Sequence, residues 1–103
     1  MDVFTALAAP TRREIIELLA HKGRLSASDI SQEFDATPPA ISQHLKILRE
    51  AKLVTMEKLG QQRIYQIDTK GMSEFEQWSQ KMTQLWNKRF DALEKLLQTK
   101  KEG

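Results

Sequence analysis

The sequence contains no cysteine and only two histidines among its 103 residues. Without cysteine the chain forms no disulfide, no thiolate metal site and no cysteine-based redox sensor, and this composition is typical of a cytoplasmic protein. His21 and His44 lie 23 positions apart, and neither has a partner at metal-ligand spacing. The residues therefore predict no metal site and no cofactor, and His21 is interpreted as a helix-end residue.

Features of enzymes and membrane proteins are also missing. The chain has no nucleophile–base pair and no glycine-rich phosphate loop, so we do not expect an enzyme. It has no run of about eighteen apolar residues, which would be needed for a membrane-spanning helix. Its first residues lack the pattern of a secretory signal. We therefore expect a cytoplasmic protein with no catalytic residues and no membrane partner.

The charge is small in sum but unevenly distributed. The formal net charge is +2, yet residues 37–70 hold six Lys or Arg against three Asp or Glu, whereas residues 1–36 hold four against six. A basic patch on one part of a small protein is typical of a nucleic-acid-binding surface. A solvated basic surface has the same composition, so charge alone leaves both interpretations open.

The chain is organised around residues 37–51, TPPAISQHLKILREA. Thr37 can cap a helix, and Pro38 suits its first position, where a missing N–H costs nothing. A buried face is predicted by apolar residues at i, i+4 and i+7, namely Ile41, Leu45 and Leu48. The opposite face is small, polar and basic, with no carboxylate before Glu50. Such a helix can pack on the protein with one side and enter the groove of DNA with the other.

A second short helix and a β-hairpin flank this segment. The sequence from Ser26 to Asp29 is a capping-box variant that predicts a helix through Phe34, after an extended connector at residues 24–25. The two helices are separated by a turn of about three residues, which is a helix-turn-helix arrangement. Strands are predicted at 53–58 and 63–67 around a turn at 60–62. The polar tip can reach DNA phosphates, although a purely structural hairpin has the same pattern.

The remaining helices lie at the two ends of the chain. A short helix is predicted at residues 2–9 and a second one from Pro10 to the stop at Gly23. Arg12 and Arg13 lie in the first turn of that second helix, where the helix dipole disfavours cations, so each needs a partner. The sequence leaves open whether that partner is a protein carboxylate or a DNA phosphate.

Residues 71–98 predict one long helix with a continuous apolar stripe. Such a helix spans about 40 Å, more than the domain formed by residues 10–70, so part of the stripe would be exposed in a monomer. The simplest cover is the same helix of a second copy. The predicted dimer-interface residues are Phe4, Leu7, Phe75, Trp78, Met82, Leu85, Trp86 and Phe90. The alternative is a groove for a small ligand or a partner protein.

Three stretches together resemble the ArsR/SmtB family of winged helix-turn-helix bacterial transcriptional repressors: LAAPTRREIIELLA, SASDISQEFDATPPAISQHLKILREAKLV and GQQRIYQI. The most specific part runs from Ser42 to Val54, within a resemblance that covers residues 3–68. It implies a mainly α fold with a β-hairpin, in the order of four helices, wing and fifth helix. It also implies a homodimer through the first and last helices, bound to an inverted-repeat operator.

The chain departs from this family pattern in two respects. Metal-sensing members carry cysteines on the helix before the recognition helix, or His/Asp pairs on the terminal helix. The corresponding segment here is SASDISQEF, and the last helix holds no histidine, so we predict a non-metal-sensing member. Lys52 stands where the family has glycine, so that either Lys52 adopts a positive φ or the helix ends differently.

The predicted function is that of a sequence-specific DNA-binding repressor with double-stranded DNA as its partner. The single domain, residues 1–103, comprises a DNA-binding core at 10–70 and dimerisation helices at 2–9 and 71–98. Ser42 and Gln43 are the expected base-reading residues. The alternative for Ser42 is that a small residue at this position only allows the helix to approach DNA closely. The DNA-binding set is Thr37, Pro39, Ser42, Gln43, Lys46, Gln62 and Arg63. An effector ligand or protein is possible, and His44 is interpreted as a packing residue rather than a DNA contact.

Overall fold

The computed structural model describes the backbone of residues 2–102 and the side chains of residues 2–99. Its elements, in chain order, are α1 (Val3–Leu7), α2 (Pro10–Lys22), β1 (Leu25–Ser26), α3 (Ala27–Gln32), α4 (Pro38–Glu50), β2 (Val54–Leu59), β3 (Gln62–Ile67) and α5 (Thr69–Glu102). The strands form an antiparallel sheet in the order β1-β3-β2. The predicted α+β architecture, with a hairpin between the fourth and fifth helices, is confirmed.

The core lies beneath α4. Its predicted apolar face is fully buried, because Ile41, Leu45 and Leu48 are each no more than 1% exposed. These side chains belong to a single cluster with buried residues of α1, α2, α3, β2 and β3. Burial of a side chain of this size contributes about 1.5–3 kcal/mol. The outer face of α4 is therefore held rigidly toward solvent.

Side-chain caps begin both helices of the helix-turn-helix unit, as predicted. The Thr37 hydroxyl accepts from the Ala40 N–H at 3.3 Å, and the Ser26 hydroxyl accepts from the Asp29 N–H at 3.1 Å. The predicted end of α3 at Phe34 was wrong, because the helix ends at Gln32 and Phe34 lies in the following turn. The predicted extended connector is in part a strand, since Leu25 and Ser26 pair with Tyr65 and Ile64.

The hairpin is shifted by one residue from its predicted bounds. Strand β2 starts at Val54, and Gln62 already belongs to β3, so the turn contains only Gly60 and Gln61. Gly60 has a φ of 62°, a left-handed conformation that glycine adopts without steric cost. At the base of the wing, the Arg24 guanidinium contacts the Glu57 carboxylate at 2.7 Å. The acidic residue of β2 is therefore already paired within the protein.

Helix α1 has only five residues, too few to be stable alone, and it is capped at both ends. At its start, the Thr5 N–H donates to the Asp2 carboxylate at 2.7 Å, and this hydrogen bond lowers the pKa of Asp2. At its end, Arg12 donates to the carbonyls of Ala6 and Thr5, and Arg13 to those of Leu7 and Ala8. The carboxylate alternative was wrong, because both arginines instead contact backbone carbonyls at the negative end of the α1 dipole.

Helix α5 is longer than predicted, with 34 residues and a length of about 50 Å. Asp68 caps it by accepting from the Lys70 N–H at 3.0 Å. Its first turns contact α1, where the Phe4 ring lies 6.0 Å from Phe75 and 5.0 Å from Trp78. Past these contacts the apolar stripe is exposed, from Met82 at 37% to Leu97 at 55%. In the described part of the chain, no helix is both long and apolar enough to cross a membrane.

Of the two alternatives left open at Lys52, the structure has the positive φ. This residue has a φ of 61° and is the sole non-glycine residue with positive φ within residues 2–102. The Leu53 N–H donates to the Leu48 carbonyl at 2.9 Å, and the Lys52 N–H donates to the Arg49 carbonyl at 3.0 Å. These two bonds form a Schellman motif, whose left-handed position favours glycine. Lysine there stores conformational strain.

Replacing Lys52 with glycine should therefore stabilise the protein by about 1 kcal/mol, because glycine pays no left-handed penalty. The gain is measured as a higher urea midpoint at fixed protein concentration. Lys58→Gly, in exposed strand β2, is the matched control and should destabilise by about 0.5–1 kcal/mol. A loss of stability in Lys52→Gly would show that the lysine side chain, rather than the backbone strain, dominates at this position.

Candidate nucleic-acid interface

The outer face of α4 presents the predicted DNA-binding residues of that helix to solvent. Thr37, Pro39, Ser42, Gln43 and Lys46 are all exposed. The side chains at 42, 43 and 46 lie opposite the buried face, because their spacing places them on the other side of a helix with 3.6 residues per turn. This face carries no acidic side chain before Glu50, the last residue of the helix. It is available to approach an anionic surface.

A groove separates α4 from the wing, with a volume of about 190 Å³. It is lined by Ser42, Gln43, Lys46, Arg49, Arg63 and Tyr65. Four of the seven predicted DNA-binding residues therefore meet in one place, although they come from two different elements. Arg49 was missed as a site residue; its position three residues after Lys46 was the available signal. Tyr65 is buried and belongs to the β3 side of the groove.

The groove is positively charged. Lys46, Arg49 and Arg63 line it, and none of the three forms an ion pair within residues 2–99. The two ion pairs in that region join Lys22 to Glu33 and Arg24 to Glu57, away from the groove. Three unpaired cations around a polar floor create the kind of surface that attracts phosphates and releases counterions on binding.

Helix α3 contributes a second part of this surface, which the sequence did not predict. A groove of about 330 Å³ between α3 and α4 is lined by Ser28, Ser31, Gln32 and Ser42, among others. A smaller one, about 170 Å³, places Ser28 beside Gln61, Gln62 and Arg63 of the wing. Thr37 and Pro39 line none of these grooves and lie at the exposed start of α4. Ser28 and Ser31 are three residues apart, so their hydroxyls share one face of a helix. That spacing was the only feature of the sequence that could have indicated this part of the surface.

His44 belongs to the packing of α4, as interpreted from the sequence. Its ring is half-buried, and its Nδ1 lies 3.3 Å from Nη1 of Arg12. A guanidinium can only donate, so Nδ1 is the acceptor. The side chain therefore faces α2 rather than the groove. Within the described residues, no cluster of three or more His, Cys, Asp or Glu side chains could hold a metal ion.

The fold and the groove together define a winged helix-turn-helix DNA-binding protein: a helix with an exposed polar face, a supporting helix before it and a basic hairpin beside it. Residues 9–56 match the profile of the bacterial regulatory protein arsR family. A transcriptional repressor of Bacillus subtilis, SdpR, is 36% identical over 75% of this chain and 84% of its own length. The chain therefore belongs to the ArsR family of bacterial regulatory proteins.

Other relatives agree with this assignment. An HTH-type transcriptional regulator of Mycobacterium tuberculosis is 44% identical over 66% of this chain, a match that spans only 63% of that relative. A solved ArsR-like transcriptional regulator from Rhodococcus superposes with a TM-score of 0.78 and 26% identity, covering 91% of this chain and 88% of the other. The predicted class of DNA-binding transcriptional regulator is confirmed at the level of the family, which is one of regulators rather than enzymes.

Proposed function

We propose that this protein represses transcription by binding an inverted-repeat operator as a homodimer. The observation that supports this most directly is the α4–wing groove, where Ser42 and Gln43 lie among three cations and no carboxylate. That composition combines two base-reading donors with phosphate-binding side chains. Such a combination is suited to sequence-specific binding in the major groove.

The exposed side chains in and around this groove have distinct proposed roles. Gln43 pairs bidentately with an adenine edge, and Ser42 approaches the adjacent base closely. Lys46 and Arg49 bind phosphates beside α4, while Gln62 and Arg63 bind the backbone next to the wing. Thr37 and Pro39 lie at the start of α4 and flank the point where this helix enters the major groove of DNA. This assignment separates two residues that set specificity from those that set affinity.

The second copy is proposed to cover the apolar stripe of α5. The stripe repeats every eleven residues, with Phe75, Trp86 and Leu97 on one line and Met82 and Leu93 on another. An eleven-residue repeat keeps an apolar line facing a partner along helices with a right-handed supercoil. A partner with the same repeat and length, the α5 of a second copy, therefore fits along it. Phe4 of α1 extends this surface at one end. Leu7, which is half-buried against the core, is proposed to border it.

Selection of bound duplexes from random DNA tests this function. We expect a palindromic consensus whose half-sites lie about one helical turn, or 34 Å, apart, with affinity that falls steeply as salt rises. Enrichment of a single, unrepeated half-site would still support sequence-specific DNA binding, but it would exclude a symmetric dimer as the bound form. No enriched sequence at all would exclude the operator.

Gln43→Ala and Lys46→Ala should have distinguishable effects on DNA binding. Gln43→Ala should weaken the selected duplex by about 1–3 kcal/mol and relax the preference at one base position. Lys46→Ala should weaken all duplexes alike and reduce the salt slope by about one. Both are measured by titration against the selected duplex and a scrambled one at several salt concentrations. Equal losses on both duplexes for Gln43→Ala would remove it from the base-reading residues.

A further inference from the structure

We propose that Arg12 is a positioning residue that couples α1, on the dimerisation side, to α4, on the DNA side. The effect of this link on DNA binding rests on the proposed function, whereas the link itself is a set of contacts within the protein. Arg12 is half-buried and belongs to neither surface itself. Its guanidinium connects both.

The geometry of this link is a three-way contact. Nε of Arg12 donates to the Ala6 carbonyl at 2.6 Å, Nη2 donates to the Thr5 carbonyl at 3.2 Å, and Nη1 donates to Nδ1 of His44 at 3.3 Å. The contact with His44 is the only side-chain hydrogen bond between α4 and another element within the described residues. A planar guanidinium holds its donors in a fixed fork, so these three acceptors must keep a fixed relative position.

The two ends of the link lie beside the two functional surfaces. On α1, Phe4 packs on Phe75 and Trp78, at the start of the stripe that the second copy is proposed to cover. On α4, His44 directly follows Gln43 in the chain and precedes Lys46 by two residues. A shift of α1 against α5 therefore moves the acceptors of Arg12, and with them the helix that reads DNA. Coupling between two sites needs such a contiguous contact.

Arg12→Lys tests the link without removing the positive charge. A lysine ammonium cannot serve all three acceptors in one geometry. At concentrations where sedimentation shows the same oligomer as the wild type, we expect about tenfold weaker binding of the selected duplex. Affinity for the scrambled duplex should stay within about twofold, because phosphate contacts do not need the same precision.

His44 provides the matched pair of variants. His44→Phe keeps a ring but removes the acceptor, and it should reproduce the loss of Arg12→Lys. His44→Asn retains an acceptor oxygen at the position of Nδ1 and should restore most of the affinity for the selected duplex. Because both changes break the same Arg12–His44 contact, the Arg12→Lys/His44→Phe double variant should be no weaker than the weaker single variant.

Hydrogen exchange provides a measurement that does not depend on DNA. His44→Phe should accelerate amide exchange at residues 6–8 several-fold, although position 44 is more than thirty residues away in sequence. Lys46→Ala, on the same helix, should leave those amides unchanged. Unchanged exchange in His44→Phe, additive losses in the double variant, or equal losses on both duplexes would each overturn the inference. If the wild type selects no sequence but exchange responds as expected, the operator proposal fails and the link remains.

Discussion

Replacing Trp86 with glutamate should convert the proposed dimer into monomers and weaken binding to the selected duplex by about 10²–10⁴-fold, the gain that two linked sites provide over one. Trp86 is 66% exposed in the single chain, the highest value among the exposed large hydrophobic residues. It makes no aromatic contact with another described side chain. A carboxylate at this position would have to be desolvated to form the interface, which is unfavourable unless it is paired.

The monomer itself should keep its fold, because Trp86 contributes nothing to the core cluster. Sedimentation measures the oligomeric state, and circular dichroism measures helix content. Gln84→Glu is the matched control: it adds the same single charge two residues away, on the other side of α5, and should remain dimeric. A Trp86→Glu protein that stays dimeric and binds with full affinity would exclude the stripe as the dimer interface. A wild type that is monomeric until a partner is added would favour the ligand or protein groove instead.

The sequence predicted best those parts of the fold whose signals are local. The cap at Thr37 and the buried face of α4 depend on neighbours within a few residues, and both are confirmed. The family pattern left two alternatives at Lys52, and the positive φ is the one that the structure has. Strand β1 was missed because two residues are too few to show a period. Its existence depends on the pairing of Leu25 with Tyr65 and of Ser26 with Ile64, 40 and 38 positions later in the chain.

The same distinction applies to the site. The exposed face of α4 could be predicted, because helical spacing alone separates it from the core. The role of Arg12 could not, because its acceptors lie on α1 and α4, and only the tertiary fold brings those helices together. Ser28 is similar: its place beside the wing depends on how α3 packs against the hairpin. Residues whose partners are distant in sequence give no local signal.

The junction between α4 and α5 is where α5 leaves the helix-turn-helix unit, and Gly71 is its tightest point. The Gly71 N–H donates to the Lys52 carbonyl at 3.0 Å, so a free donor of the first turn of α5 meets a free acceptor at the end of α4. A Cβ at position 71 would lie 2.5 Å from the Lys52 carbonyl oxygen and 2.9 Å from its carbon. Both are backbone atoms, which cannot rotate away.

Gly71→Ala should therefore destabilise the protein by about 1–3 kcal/mol, the usual cost of overpacking, and lower Tm by about 4–8 °C for each kcal/mol. Helix propensity alone predicts the opposite sign, a gain of about 1 kcal/mol, because Gly71 is a helical residue. Thr83→Ala, on the exposed part of the same helix, has no such contact and should raise the free energy of unfolding by about a few tenths of a kcal/mol. Denaturant unfolding of both variants at one protein concentration separates the two effects. A stabilised Gly71→Ala protein would mean that α5 can lift away from Lys52 without cost, and that the angle between the two helices is not held at this junction.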